Sequence, residues 1–295
     1  MALYFDNVDV TINNINLMAD SASIESQNNV IPLQSLGKRG VFNQAPDGPI
    51  RSSFNISYYI QTSKEPNYTI VNNLRTAHNN FNYAPDNIGI GGITGACYLE
   101  SYNIKINPNE IAKATVSYVS YSSLSGNLLT RNYAGGGSSG VSGISGGSGY
   151  SGTTTTDFDV SGLAHGWTTF VTSTTSYDDI PTHSLEYNCR VNWEPVYIVG
   201  KKEPNQVQLM GGQESIKLVR DTYKKIQFSG EELKNYLNIT EDDYDIDMNE
   251  INYLCTSVAN TPLTISISGA KVKNVSVNAV LDDIVRVETV AEKFF

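Results

Sequence analysis

Apolar and polar residues alternate strictly over several stretches of this chain. The clearest is Phe54, Ile56, Tyr58 and Ile60, interleaved with Ser53, Asn55, Ser57 and Tyr59. Successive side chains of a strand point to opposite faces, so this period of two puts the first four on one face of a sheet. Residues 3–12 and 15–24 alternate in the same way. Ile104 and Ile106, the breaker Asn107-Pro108-Asn109, and then Ala114, Val116, Tyr118 and Tyr121 predict a hairpin. Upstream of it, the alternation begun at Cys97 and Leu99 blurs at Ser101 and Asn103, and Gly89, Gly91, Gly92 and Gly95 interrupt a strand-like run. Further strands are predicted over 185–191 and 196–199, at Ile216, Leu218 and Arg220, at Leu263, Ile265 and Ile267, and from Val272 through Val287. Two stretches have helical spacing. Ile70, Val71, Leu74, Ala77 and His78 follow Pro66-Asn67 and predict a helix over 67–79, with His78 at the end that suits a cation. Ser229 and Glu232 form a capping box ahead of Leu233, Tyr236 and Leu237 and predict a second.

The order of these elements occurs twice. Gly37-Lys38-Arg39-Gly40-Val41-Phe42-Asn43-Gln44 is echoed by Gly200-Lys201-Lys202-Glu203-Pro204-Asn205-Gln206. Each block closes an apolar run (Val30 to Leu33; Pro195 to Val199) and leads through a glycine turn into an alternating strand. Self-similarity at a long period decides architecture. Both halves read as strands, a basic-then-polar loop, a strand, a short helix and a final hairpin. Between them a Gly/Ser tract has too few large side chains to build a core and has the composition of a linker or long loop. The expected organisation is therefore a mainly β chain of two antiparallel β-sandwich or barrel domains, residues 1–125 and 157–295, each with one short flanking helix, joined by residues 126–156.

Charged residues make up only 17% of the chain, and Tyr (18) outnumbers Phe (9), a palette suited to pleated, half-buried surfaces. The formal net charge of −10 argues against holding nucleic acid, which needs Lys and Arg to displace phosphate counterions. Cys97, Cys189 and Cys255 are too sparse for a disulfide framework and read as reduced core residues. No apolar stretch approaches the roughly 20 residues of a membrane span, and the N-terminal residues lack the pattern of an export signal.

Candidate chemistry fails residue by residue. A phosphate loop needs Gly-x-x-x-x-Gly-Lys-[Ser/Thr]; ahead of Gly37-Lys38 stands Pro32, and Arg39 follows. Pro195 and Lys202 break the pattern at Gly200-Lys201. Gly89-Ile90-Gly91-Gly92 lacks the βαβ setting of a dinucleotide site. The acidic run Glu241 to Asp247 would place Met248 where a calcium loop needs glycine and Leu254 where it needs glutamate. His78, His165 and His183 have no metal-ligand spacing, and no carboxylate pair suggests an acid and a base. Trp167 and Trp193, with the tyrosines, admit a sugar-stacking platform, although core packing is the simpler role of Trp193. No catalytic, metal or cofactor site is expected.

The order of elements, with one short helix beside antiparallel sheets and a long hairpin loop, resembles the bacteriophage tail-tube fold shared with contractile injection systems. The stretch from Ile93-Thr94-Gly95-Ala96 through Ser101 to Ile106 and Ala114 to Tyr118 is similar to the final hairpin of such virion proteins, and Ala2 to Val8 to their opening. The resemblance implies a non-enzymatic structural protein that self-assembles into rings stacked as a tube, located in the virion after assembly in the host cytoplasm. A duplicated subunit implies a ring of three copies with six domains, or a hexamer, in contact with other tail proteins, around an acidic channel through which DNA passes without specific binding. It implies that Lys38, Arg39, Asn43, Gln44, Lys201, Lys202, Asn205 and Gln206 reach the adjacent ring. A neck, baseplate or tail-completion component with the same fold, or a host-surface carbohydrate-binding module, are the alternative expectations.

Overall fold

The computed structural model describes residues 9–27, 30–33, 43–46, 49, 51–77, 83–126, 162–173, 182–222, 242–251, 263–278 and 285–295. They are mainly β, with one helix. In chain order the elements are β1 (Val10–Ile12), β2 (Ile15–Asn16), β3 (Ala19–Gln27), β4 (Val30–Leu33), β5 (Asn43–Pro46), β6 (Arg51–Tyr59), α1 (Pro66–Ala77), β7 (Asp86–Ile90), β8 (Ile93–Ile106), β9 (Lys113–Ser120) and β10 (Ser125–Gly126). After residues outside the described set come β11 (Leu163–Ser173), β12 (Thr182–Val196), β13 (Gln206–Thr222), β14 (Asp242–Ile251), β15 (Leu263–Asn278) and β16 (Val285–Phe294).

The alternation predicted over 53–60 is realised; that predicted over 15–24 is split between β2 and the mostly exposed β3, and residues 3–8 and 127–156, the latter nearly all of the expected linker, lie outside the described residues. Phe54, Ile56, Tyr58 and Ile60 are all buried, and β8 and β9 form the hairpin across Asn107-Pro108. Gly91 and Gly92, both at positive φ, make the tight turn between β7 and β8 that glycine alone adopts without strain. The blurred stretch after Leu99 has a structural cause. Leu99 opposes Tyr118 while Ser101 opposes Ser117, so Glu100 is an extra residue, a β-bulge. It shifts the inward set by one, and Tyr102, Ile104 and Ile106 continue the core that Cys97 and Leu99 began. The first helix is α1, starting at Pro66 and burying Ile70, Val71 and Leu74. Glu65 caps it, its Oε1 accepting from the Asn67 backbone N–H at 3.2 Å. The second predicted helix and residue 78 lie outside the described residues. The apolar run 196–199, expected as strand, is different: β12 ends at Val196, and Tyr197, Ile198 and Val199 are exposed at a turn.

The strands form two series in the same order. In the first, hydrogen-bonded neighbours run β3–β6–β9–β8–β7–β1; in the second they run β12–β13–β16–β15–β14–β11, and every neighbouring pair is antiparallel. The irregularities correspond too. Asp20 is the extra residue of β3 against β6, and His183 that of β12 against β13. Glu100 is the extra residue of β8, and Lys273 that of β15 against β16. Three residues before each of the latter bulges, Cys97 opposes Asp86 and Ala270 opposes Asp242, two buried aspartates opening β7 and β14. Asp20 and His183 lie 163 positions apart, the separation of Gly37 from Gly200; the hairpin returns through β6 and β13 with Phe54 matching Ile216, 162 apart, the separation of Asn43 from Asn205. The short sequence echo is thus in register with the strands around it.

β8 joins the series by pairing with β12, Ile106 with Leu185 through Ser101 with Arg190. One sheet therefore runs continuously through eight strands, β3–β6–β9–β8–β12–β13–β16–β15. β8 and β15 are long enough to leave it: residues 93–97 turn to pair with β7, and 263–270 with β14. One face of the eight-stranded sheet is apolar, covered by α1 and by the strands that β8 and β15 carry over it, and this is where the core lies.

Candidate assembly interface

The two outermost strands of the eight each have one unpaired edge among the described residues. β3 pairs only with β6, and its side chains are mostly exposed. At the other end residues 271–278 of β15 pair only with β16, and Val277 is 46% exposed. Open edges present rows of unpaired N–H and C=O groups and invite another strand. The molecule itself shows how such edges can meet. By position in its series, β8 corresponds to β15, and β12 to β3, so the β8–β12 pairing joins within one chain the same two strand positions that stand open at the ends of the sheet. Carrying the register across puts Val277 opposite Ile24, as Ile104 is opposite Tyr187, and Asn274 opposite Gln27, as Ser101 is opposite Arg190.

The internal junction is reinforced from the apolar side. Tyr102 of β8 and Tyr187 of β12 stack edge to face at 5.8 Å. Arg75 of α1 spans the junction: its Nε donates to Glu214 Oε2 at 2.8 Å, its Nη2 to Glu214 Oε1, and Tyr187 Oη also donates to that carboxylate. Glu214 is fully buried, and the guanidinium is held charged well above its ordinary range by this carboxylate against the cost of burial. Tyr68 of α1 accepts from the backbone N–H of Ser266 in β15 at 2.8 Å. Beside α1 lies a second buried group: Tyr58 Oη donates to Glu65 at 2.6 Å, Asn67 Nδ2 to Tyr58 Oη at 2.6 Å, and Tyr118 Oη to Asn67 Oδ1. Burial pushes the Glu65 carboxyl up to about 7, with the Tyr58 and Asn67 hydrogen bonds opposing. Burial also pushes Asp86 up to about 6, opposed by Asn13 Nδ2 at 2.9 Å.

The other face of the sheet is polar and low in net charge. A row of cross-strand partners, Ser21, Ser57, Thr115, Asn103, Asn188 and Ser215, crosses six successive strands without a charged residue. Of the charges that flank this row, Lys113 pairs with Asp20 at 2.9 Å and Lys217 with Glu288 at 2.9 Å, and Glu186 accepts from the Asn103 amide at 2.8 Å.

β4 and β5 form a separate two-stranded hairpin between β3 and β6 in the chain, and β12 and β13 continue past their pairing with β8 and β16, through a register shift between Asn192 and Trp193, into a tip. Of the residues predicted to contact a neighbour, Lys201, Lys202, Asn205 and Gln206 gather there, Lys201 Nζ donating to Asn205 Oδ1 at 2.9 Å and Gln206 opposing Val196. Asn43 and Gln44 lie on β5, opposite Leu33 and Pro32. Lys38 and Arg39 lie outside the described residues. Tyr197, Ile198 and Val199, beside Lys201, are exposed surface here, where their apolar run predicts a strand. The edges of β3 and β15 were also missed, because an open edge depends on which strands find partners and leaves no mark in local alternation.

No family model matches the chain, and no curated protein matches it.

Proposed function

We propose that this protein is a non-enzymatic structural subunit that closes into rings by pairing the β15 edge of one copy with the β3 edge of the next, and that the rings stack as a tube like that of a phage tail. The observation that carries the reading is the β8–β12 junction, in which the same two strand positions already pair within one chain. Eight alternating antiparallel strands leave β15 and β3 in the opposite sense required to continue the pattern, so a head-to-tail, heterologous contact can close on itself. Each backbone hydrogen bond gained contributes roughly 0.5–1.5 kcal/mol net, and sealing the edges removes an aggregation hazard.

In this reading each chain supplies two tail-tube-like units, and three copies make a six-unit ring. The polar face, with its Ser/Asn/Thr row, lines the channel, and DNA passes over hydroxyls, amides and matched charges without being held. The hairpin tips project to the next ring, with Lys201, Lys202, Asn205 and Gln206 at the contact and Lys38, Arg39, Asn43 and Gln44 serving the first unit. Other tail proteins meet the ends of the tube, and the assembled protein resides in the virion. Electron microscopy of the purified protein tests this: closed rings or tubes with three-fold repeat and an open centre are expected, and a protein that remains monomeric at high concentration would overturn it.

A further inference from the structure

The cleft beside the β15 bulge is the counterpart of a socket that is filled elsewhere in the same chain. It has a volume of about 600 Å³ and is lined by Gly269, Lys271, Val272, Lys273 and Phe294 among others. In the first series the corresponding positions are Tyr98, Leu99, Glu100 and Tyr121, fixed by the shared bulge and by the matched β8–β9 and β15–β16 registers. That first site is occupied. After Arg190, β12 stops pairing with β8, and Trp193 seats against Tyr98 at 4.9 Å and Tyr83 at 5.5 Å while its Nε1–H donates to the Leu99 carbonyl at 2.7 Å. Trp193 thus locks the junction past the end of its strand pairing. The position matching Trp193 in the first series, by the same 163-residue separation, is residue 30, the first residue of β4.

We propose that the cleft at β15–β16 is the socket for β4 of a neighbouring copy, with Val30 entering it as Trp193 enters the socket on β8. The inference rests on the ring reading above and adds a second, side-chain lock to its backbone edge pairing. The two sockets differ in chemistry: tyrosines wall the inner one, whereas Lys271 and Lys273 flank the outer one, with Lys273 held by Glu292 at 2.8 Å. A smaller aliphatic side chain and long lysine stems together replace one indole and its tyrosine cage, since lysine methylenes lie along apolar surface while the ammonium stays in water. In the register given above, Gln27 and Glu25 of the incoming β3 would lie opposite Asn274 and Ser276, next to the bulged Lys273.

The photo-crosslinking amino acid benzoylphenylalanine, placed at Phe294 (71% exposed) and separately at Lys273, tests this on the full chain. Assembled protein is irradiated, and crosslinked peptides are identified by mass spectrometry. Capture of a peptide containing residues 30–33 from a second copy, lost on V30D, is expected at both positions. If an I24C/V277C pair still crosslinks copies but neither probe captures that peptide, the socket assignment is wrong and the edge pairing stands. If neither edge nor socket crosslinks, both fall.

Discussion

Arg75 on the only helix of the described residues grips Glu214 on β13 with two parallel N–H donors, so the first strand series holds the second through a charge pair buried beneath their junction. Removing one partner leaves the other charge buried and uncompensated, which costs about 3–5 kcal/mol. R75M and E214Q should each lower unfolding free energy by an amount of that order, and R75M/E214L by clearly less than the sum. Urea unfolding of the three variants checks this.

Glu65 sets a pH dependence. Its carboxyl is raised from 4.5 to about 7 in the folded protein, so the folded chain binds this proton more tightly than the unfolded chain. Its stabilising contribution is complete below about pH 4.5 and is lost as pH rises through 7. The linked change is about 3 kcal/mol. E65Q should flatten that part of the stability–pH curve, leaving the smaller loss near pH 4–6 that Asp86 contributes. Urea unfolding at pH 5 and pH 8 reads the difference.

Gly166 marks a close backbone approach. A Cβ there would lie 1.8 Å from the Asn107 carbonyl oxygen, and the Gly166 N–H donates to the Glu110 carbonyl at 3.0 Å. G166A should force β11 away from the β8–β9 turn and cost about 1–3 kcal/mol, the usual range for overpacking. Thermal unfolding gives the loss, and faster amide exchange at Gly166 locates it.

The hairpin tip separates assembly from stability. Ile198 and Val199 are exposed, and surface substitutions of this kind change folding free energy by no more than about 0.5 kcal/mol. I198N/V199K should unfold like the parent yet stack into shorter tubes, a result that length distributions in electron micrographs would reveal. Unchanged tube length would remove the tip from the contact.

Much of this architecture was legible in the chain. Phe54, Ile56, Tyr58 and Ile60 announced β6, because one face of that strand is wholly buried. Ile70, Val71 and Leu74 announced α1 for the same reason on a helical period. The echo between Gly37 and Gly200 carried the register of two strand series in a few letters. Other features left no local signal. The Glu100 bulge reads as broken alternation until its partner strand is known. Arg75 and Glu214 are 139 residues apart and look like any surface charges in sequence. Val196 through Val199 looks like buried strand, because apolar content records hydrophobicity and not whether a neighbour covers it. For the candidate site, Lys201, Lys202, Asn205 and Gln206 were found together at a tip, while the edges of β3 and β15 emerged only from pairing.

Disulfide trapping with I24C and V277C tests the edge pairing most directly. Residues directly opposite on antiparallel strands have Cα atoms about 4.5–5.5 Å apart, within disulfide range. Under mild oxidation the double variant should form a ladder between copies, ending at a closed species of three chains, while each single variant does not. A double variant that stays monomeric on a non-reducing gel, under conditions where the protein is concentrated and folded, would contradict the pairing of β15 with β3.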